Sequence, residues 1–184
     1  NREDSALETY PDKCPSPTDL LAILFSSKPD RRQLLDLTLP SSLGKTIQIN
    51  VWRNHNFETL IPLLKPYFWF GGWRPIFRIS PYDDTLRFDS WQPAAVELLW
   101  LDRSRFRTLT PEQWLDWLSE RLAVLRTQSS APIVLATWMT KAADCEHLKS
   151  RLTDFPAVHF ADLEQLCKEA ELSLLAQRMT QLYG

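Results

Sequence analysis

Short apolar runs alternate with stretches of helical periodicity from residue 45 onward. The run at 47–52, IQINVW, stops abruptly at four polar residues: Arg53, Asn54, His55 and Asn56. Helical spacing takes over at Phe57, Leu60, Ile61 and Leu64, which predicts a helix over about 56–68. Pro62 lies deep enough in that span to kink or shorten it, and Gly71-Gly72 ends it. Further strands are predicted at 74–80 (RPIFRIS), 95–101 (AVELLWL), 132–137 (PIVLAT) and 157–160. Pro81, Tyr82, Asp83 and Asp84 form a turn-rich loop after the second strand. Thr110, Pro111 and Gln113 read as the N-cap, first position and capping-box residue of a helix reaching about 127. Its apolar face carries Trp114, Leu115, Leu118, Leu122 and Leu125. A helix over 141–152 and another led by Asp162, to about 182, complete the pattern.

Strands alternating with helices predict a three-layer α/β sandwich with a mainly parallel, five-stranded sheet. This domain spans 45–184 and follows a helical extension over 1–44. Within the extension, Pro11, Pro15 and Pro17 keep residues 1–16 irregular, and helices are expected near 17–25 and 30–37. The extension suits either a cap over a sheet edge or a contact with a partner, a second copy included. In open α/β sheets ligands bind beyond the carboxyl ends of the strands. That places the candidate site at the Arg53–Asn56 loop, at Asp102 and Arg103 after the third strand, and at Trp138 after the fourth.

Charge and composition narrow the options. A net charge of −2 leaves no electrostatic footprint for nucleic acid. No apolar run nears the roughly 18 residues that cross a bilayer. Cys14, Cys145 and Cys167 are scattered and form no CxxC pair, so zinc or a disulfide framework is not expected. Reduced thiols fit a cytoplasmic protein. Residues 1–11 are polar and acidic and show no signal peptide, and position 1 is Asn rather than Met, as in a piece of a longer protein. Only four glycines are present, without a Rossmann fingerprint or a P-loop, so no cofactor is assigned to the chain. Eight tryptophans supply core packing or an aromatic-lined pocket.

Candidate chemistry concentrates at the first strand's end. His55 is a candidate general base or anion ligand, against the plainer reading of a loop residue bonded to backbone. Arg53 beside a helix start is a candidate phosphate ligand, against a surface ion pair. Asn54 or Asn56 is a candidate helix cap. Asp102 either orients a polar ligand or makes an ion pair or helix-side contact. His147 and His159 are isolated; His159 alternates with apolar neighbours and is expected to be partly buried. No group of His, Cys, Asp and Glu has metal-ligand spacing.

From Lys45 onward the chain resembles the N-terminal domain of FkbH-like proteins. The resemblance rests on INVWRNHNFETLIPLL, the Tyr82-Asp83-Asp84 loop, QPAAVELLWLDRSRF and VHFADLEQL. In that family an SGNH-hydrolase-like, flavodoxin-like α/β domain precedes a phosphatase domain of the HAD superfamily. The resemblance implies a bacterial enzyme that loads a glyceryl-type unit onto an acyl carrier protein, for polyketides and related products. It implies two partners, the carrier and a C-terminal HAD-type domain. The family's catalytic aspartates lie on a DxDxT motif that this chain lacks, so the transfer step is not assigned to it. The wider SGNH pattern has a serine after the first strand, where this chain has Arg53-Asn54-His55-Asn56, and a late Asp-x-x-His near the end; the last histidine here is His159, inside the fifth strand, and no such motif follows it. The expectation is therefore a non-hydrolytic accessory or docking domain. Ligand contacts would come from Arg53, Asn54, His55, Asn56, Asp102 and Trp138. The alternatives are a small esterase or acyltransferase working through His55 and Asp102, and a structural oligomerisation domain.

Overall fold

The computed structural model describes residues 15–26, 29–38, 44–139 and 141–169. The chain divides into two compact units, one of residues 1–46 and 58–75, the other of residues 47–57 and 76–184.

The first unit is built on helices α1 (Pro17–Leu24), α2 (Arg31–Asp36) and α3 (Ile61–Phe70). Each of the first two starts where a side chain satisfies a free backbone donor. Ser16 and Asp19 form a reciprocal capping box on α1, and the Asp30 carboxylate accepts the Arg32 N–H on α2. Leu20, Leu24 and Leu34 are buried together, packed by Leu63, Tyr67 and Trp69 of α3. The helix starts at Ile61 rather than near 56, the shortening expected at Pro62. A 3-10 turn over Glu58–Leu60 precedes α3, so Pro62 falls in the helix's first turn, where a missing N–H costs nothing. The interior proline is Pro66, and it is buried. The N-cap of α3 is Leu60, which makes no side-chain cap bond. The helix stops at Gly71, and Gly72 takes φ +79°, a turn that favours glycine.

The sheet contains β1 (Lys45–Arg53), β2 (Trp73–Tyr82), β3 (Val96–Leu101), β4 (Ile133–Thr137) and β5 (Val158–Asp162). All five strands are parallel, in the order β2-β1-β3-β4-β5, flanked by helices as the alternating pattern predicts. β2 lies at an edge of the sheet, the position that tolerates Pro75 and Pro81. Helices α4 (Pro111–Gln128) and α5 (Ala142–Leu152) make the crossovers between β3 and β4 and between β4 and β5. Thr110 and Gln113 form the predicted capping box of α4. The last helix, α6, is described over Leu163–Glu169 and is started by Asp162, whose Oδ1 accepts the N–H groups of Glu164 and Gln165. Its predicted continuation to about 182 lies outside the described residues, as does all but the end of the stretch 1–16 expected to be irregular.

Register fixes which side chains share a face. Asn50 pairs with Glu97 and Glu97 with Ile133, so Asn50, Trp52, Glu97, Leu99, Leu101, Ile133 and Leu135 point one way. Trp52 and the leucines and Ile133 of this set pack against Leu115, Leu118, Leu122 and Leu125 of α4 and Leu148 and Leu152 of α5. The opposite face carries Val51, Leu98, Trp100 and Val134, and on β5 His159. His159 is exposed, not partly buried as expected, because β5 is the other edge strand and its alternation turns this residue to solvent.

Glu97 stands fully buried in the packed face. Its Oε2 accepts the Trp52 Nε1–H at 2.7 Å, and its Oε1 accepts the Trp91 Nε1–H at 2.8 Å and the Asn50 Nδ2–H at 3.2 Å. A carboxylate meeting three donors from two distant segments ties the loop before β3 to β1. Arg126 makes a second tie near α4's end: it donates to the carbonyls of Ser129, Ala131, Pro156 and Ala157, gathering the entries to β4 and β5.

The loop after β2 is more ordered than its composition suggests. Leu86, Phe88 and Ser90 have φ of 47°, 58° and 59°, and the Leu86 and Phe88 side chains are buried in the core. Each non-glycine residue in that region costs about 1–2 kcal/mol. The Phe88 ring meets Trp52 edge to face at 5.0 Å, and core contacts of this kind offset that cost. Asp83 holds the turn from inside, accepting the N–H groups of Thr85 and Arg87 and the Thr85 hydroxyl. Burial pushes the Asp83 carboxyl upward, but these hydrogen bonds outweigh it and leave the group below its ordinary value. Its contribution to stability is present above the unfolded carboxyl range near 3.9 and is lost as pH falls through the lower folded value. Asp83→Asn is therefore expected to destabilise the protein at pH 7, with the gap from wild type closing in urea titrations as pH falls through the lowered folded value. A gap that stays constant across that range would contradict this.

Candidate functional site

The strand order reverses between β1 and β3, so the chain leaves these neighbours in opposite directions and opens a crevice at their carboxyl ends. The predicted site residues Arg53, Asn54, His55, Asn56 and Asp102 all lie at this switch point, and Trp138 follows β4, the next strand along.

Several of these side chains are already engaged by the fold. Arg53 is buried. Its Nε donates to the Ser80 carbonyl at 2.9 Å, and its guanidinium lies 4.1 Å from the Tyr82 ring centroid. Asn54 is fully buried and latches the crevice shut at its base. Its Nδ2 donates to the Asp102 carbonyl at 3.1 Å, and its Oδ1 accepts the Asp102 N–H at 2.7 Å. Asp102 in turn caps a 3-10 turn over Arg103–Arg105, its Oδ1 accepting the Ser104 N–H at 2.8 Å. Arg103 does not pair with Asp102. It makes a 2.7 Å ion pair with Asp144 in the first turn of α5, with its guanidinium 5.3 Å from the Trp114 ring.

Losing the Asn54 latch leaves the Asp102 N–H without its partner in a partly buried place and its C=O with the Arg105 N–H alone. Asn54→Ala is expected to cost about 1–3 kcal/mol and to speed hydrogen exchange at the Asp102 amide. Exchange unchanged at Asp102 would show that the latch holds nothing.

His55 is placed differently. Its ring stacks on Trp100, with centroids 5.1 Å apart and planes 18° from parallel. The Trp138 ring stands edge-on to it at 5.1 Å and meets Trp100 at 5.3 Å. Trp100 is fixed from behind: its Nε1 donates to the Asn56 carbonyl at 3.0 Å, and Phe57 packs on its ring at 5.6 Å. Burial is the main influence on His55 and drives its pKa down to about 4. The negative charge of Asp102 opposes this, and Arg105 and Arg53 add to it. At neutral pH the ring is an uncharged imidazole. Its Nε2 is shut off from solvent without a hydrogen-bond partner among the described residues.

Trp100 is the member of this cluster that the sequence did not single out. Its only signal was an aromatic near the end of a core strand at the switch point. Among the described residues no group of three or more His, Cys, Asp or Glu is arranged to hold a metal ion. No described helix is long and apolar enough to cross a membrane. A shallow cavity of about 270 Å³ lies between α4 and α5, lined by Glu112, Leu115, Asp116, His147, Ser150 and Arg151, and contains none of the predicted site residues.

With this geometry the chain was compared with known proteins. No family model matches the chain, and no curated protein sequence matches it. The fold has a solved counterpart. The chain is similar to the crystal structure of the N-terminal part of the protein BF1531 from Bacteroides fragilis, which contains a phosphatase domain complexed with Mg. The TM-score is 0.51 with 9% sequence identity, over 81% of this chain and 46% of that one. The chain thus spans about half the length of the structure it resembles, and at that identity the likeness is one of fold.

Proposed function

We propose that this chain is a non-hydrolytic, SGNH-like accessory domain through which an FkbH-like enzyme docks its acyl carrier protein. That enzyme loads a glyceryl-type unit onto the carrier in bacterial natural-product or polysaccharide biosynthesis, with the transfer chemistry in a separate HAD-type domain. The observation that carries this reading is the environment of His55. A hydrolase of this fold needs the imidazole hydrogen-bonded to a nucleophile that it activates. Here the ring is held between two indoles, and among the described residues no serine, threonine or cysteine side chain is bonded to it. A crevice at the switch point with an aromatic wall and, among the described residues, no nucleophile bonded to its imidazole serves binding better than turnover. The likeness to part of a larger protein that contains a phosphatase domain supports the same division of labour.

Calorimetric titration of the chain with holo acyl carrier protein tests the reading, and saturable binding is the expected result. No heat at any carrier concentration would remove the docking role. A panel of short-chain esters tests the esterase alternative: no turnover is expected, and hydrolysis lost in His55→Ala would replace this proposal with that one.

A further inference from the structure

We propose that the His55–Trp100–Trp138 cluster is a binding slot for an uncharged amide group. The inference rests on the docking reading above and names what the site would hold: an amide of the carrier's prosthetic arm rather than its phosphate.

The chemistry of the slot selects the ligand class. Its walls are two indoles and an imidazole, surfaces that favour a flat, polarisable partner. The polar atom they enclose is His55 Nε2, buried without a partner among the described residues, an arrangement that costs free energy until something pairs with it. In a neutral imidazole Nε2 carries the proton in one tautomer and a lone pair in the other, so a ligand that offers both a donor and an acceptor answers it in either. An amide is planar, uncharged and does both. A phosphate or carboxylate gains little there. Asp102 and the cations Arg105 and Arg53 act on His55 with opposite signs, and Arg53 is turned into the fold against Ser80 and Tyr82. Because Nε2 is closed to solvent, entry of the amide requires one ring to move. Trp138 is the ring for this: it is only partly buried and lies beyond the end of β4, whereas Trp100 lies within β3 and is held by Asn56 and Phe57.

Pantetheine, an uncharged arm with two amides, is the probe, with inorganic phosphate as the anionic control. The imidazole resonances of His55 are expected to shift saturably with pantetheine and not with phosphate. His55→Leu is expected to weaken pantetheine binding at least 5-fold, and His55→Gln, which restores a donor and an acceptor, to recover most of it. Trp138→Ala is expected to weaken it similarly. Variants are compared only where their thermal midpoints show them folded. Equal affinity in wild type and His55→Leu, or shifts with phosphate alone, would overturn the inference. Apo and holo carrier separate it from the docking reading. Equal binding of both carriers, with no response to pantetheine, removes the amide slot and leaves docking standing. Pantetheine binding without carrier binding does the reverse.

Discussion

Glu97→Ala is expected to be the most damaging single substitution in the described part of the chain. It removes the acceptor for Trp52, Trp91 and Asn50 at once and leaves three donors facing a space from which the carboxylate has been deleted. Each buried donor left unpaired costs about 1–3 kcal/mol, and water entering the vacated space recovers part of that, for a net loss of about 3–5 kcal/mol. For a chain of this size the thermal midpoint would fall by roughly 10 °C. Glu97→Gln keeps the shape and one oxygen but turns an N–H toward an N–H, so an intermediate loss of about 1–3 kcal/mol is expected. Exposed Glu112, substituted by Ala, is the control and should stay within about 0.5 kcal/mol of wild type. Urea unfolding of the three variants checks the order. A Glu97→Ala protein as stable as the control would show that the carboxylate is not the tie between β1 and the loop before β3.

The second large effect is a pH dependence centred on His55. The ordinary imidazole value of 6.5 applies to the unfolded chain, whereas the folded ring titrates at about 4. Between those values the unfolded chain takes up a proton that the native state refuses, so stability falls as pH drops from 6.5 toward 4. A displacement of that size corresponds to up to about 3 kcal/mol, present in full above the upper value and lost below the lower one. His55→Phe keeps a ring on Trp100 and removes the titration. The difference in stability between wild type and this variant should therefore change across pH 6.5 to 4 and be flat above it. The imidazole carbon shift of His55, followed directly, should show its midpoint near 4. A midpoint near 6.5 would mean that solvent reaches the ring freely and that the aromatic cluster does not enclose it.

Much of the architecture was written locally. The apolar runs at 47–52, 95–101 and 132–137 became central strands because each has a length and bounds that suit burial on both faces. The Thr110-Pro111-Gln113 signal started a helix where it predicted one, since a cap depends only on residues within a turn of each other. What escaped the sequence was set by distant partners. Glu97 read as one acid in an apolar strand, and its meaning lies in Trp52 and Trp91, which the fold alone brings to it. Leu86 and Phe88 read as part of a turn-rich loop, yet left-handed backbone at both turns their side chains into the core. Pro62 marked a shortened helix, but the 3-10 turn that precedes its start at Ile61 had no local signal.

The site was legible as a place and less so as chemistry. The polar break after Trp52 pointed to the switch point, and Arg53, Asn54, His55, Asn56 and Asp102 do meet there. Their individual roles follow from burial that the sequence does not display. Asn54 is drawn inward to hold the backbone of Asp102, and Arg53 to hold β2, whereas His55, between Trp100 and Trp138, keeps a ring nitrogen with no hydrogen-bond partner among the described residues.

The account stands most directly on where a carrier protein touches this chain. Backbone amide shifts of the labelled chain, followed through a titration with holo acyl carrier protein, read that out residue by residue. The account predicts the largest shifts at Asn54, His55, Asp102 and Trp138, at the carboxyl ends of β1, β3 and β4. Shifts confined to the α4–α5 cavity around Asp116 and His147, or none at saturating carrier, would contradict it.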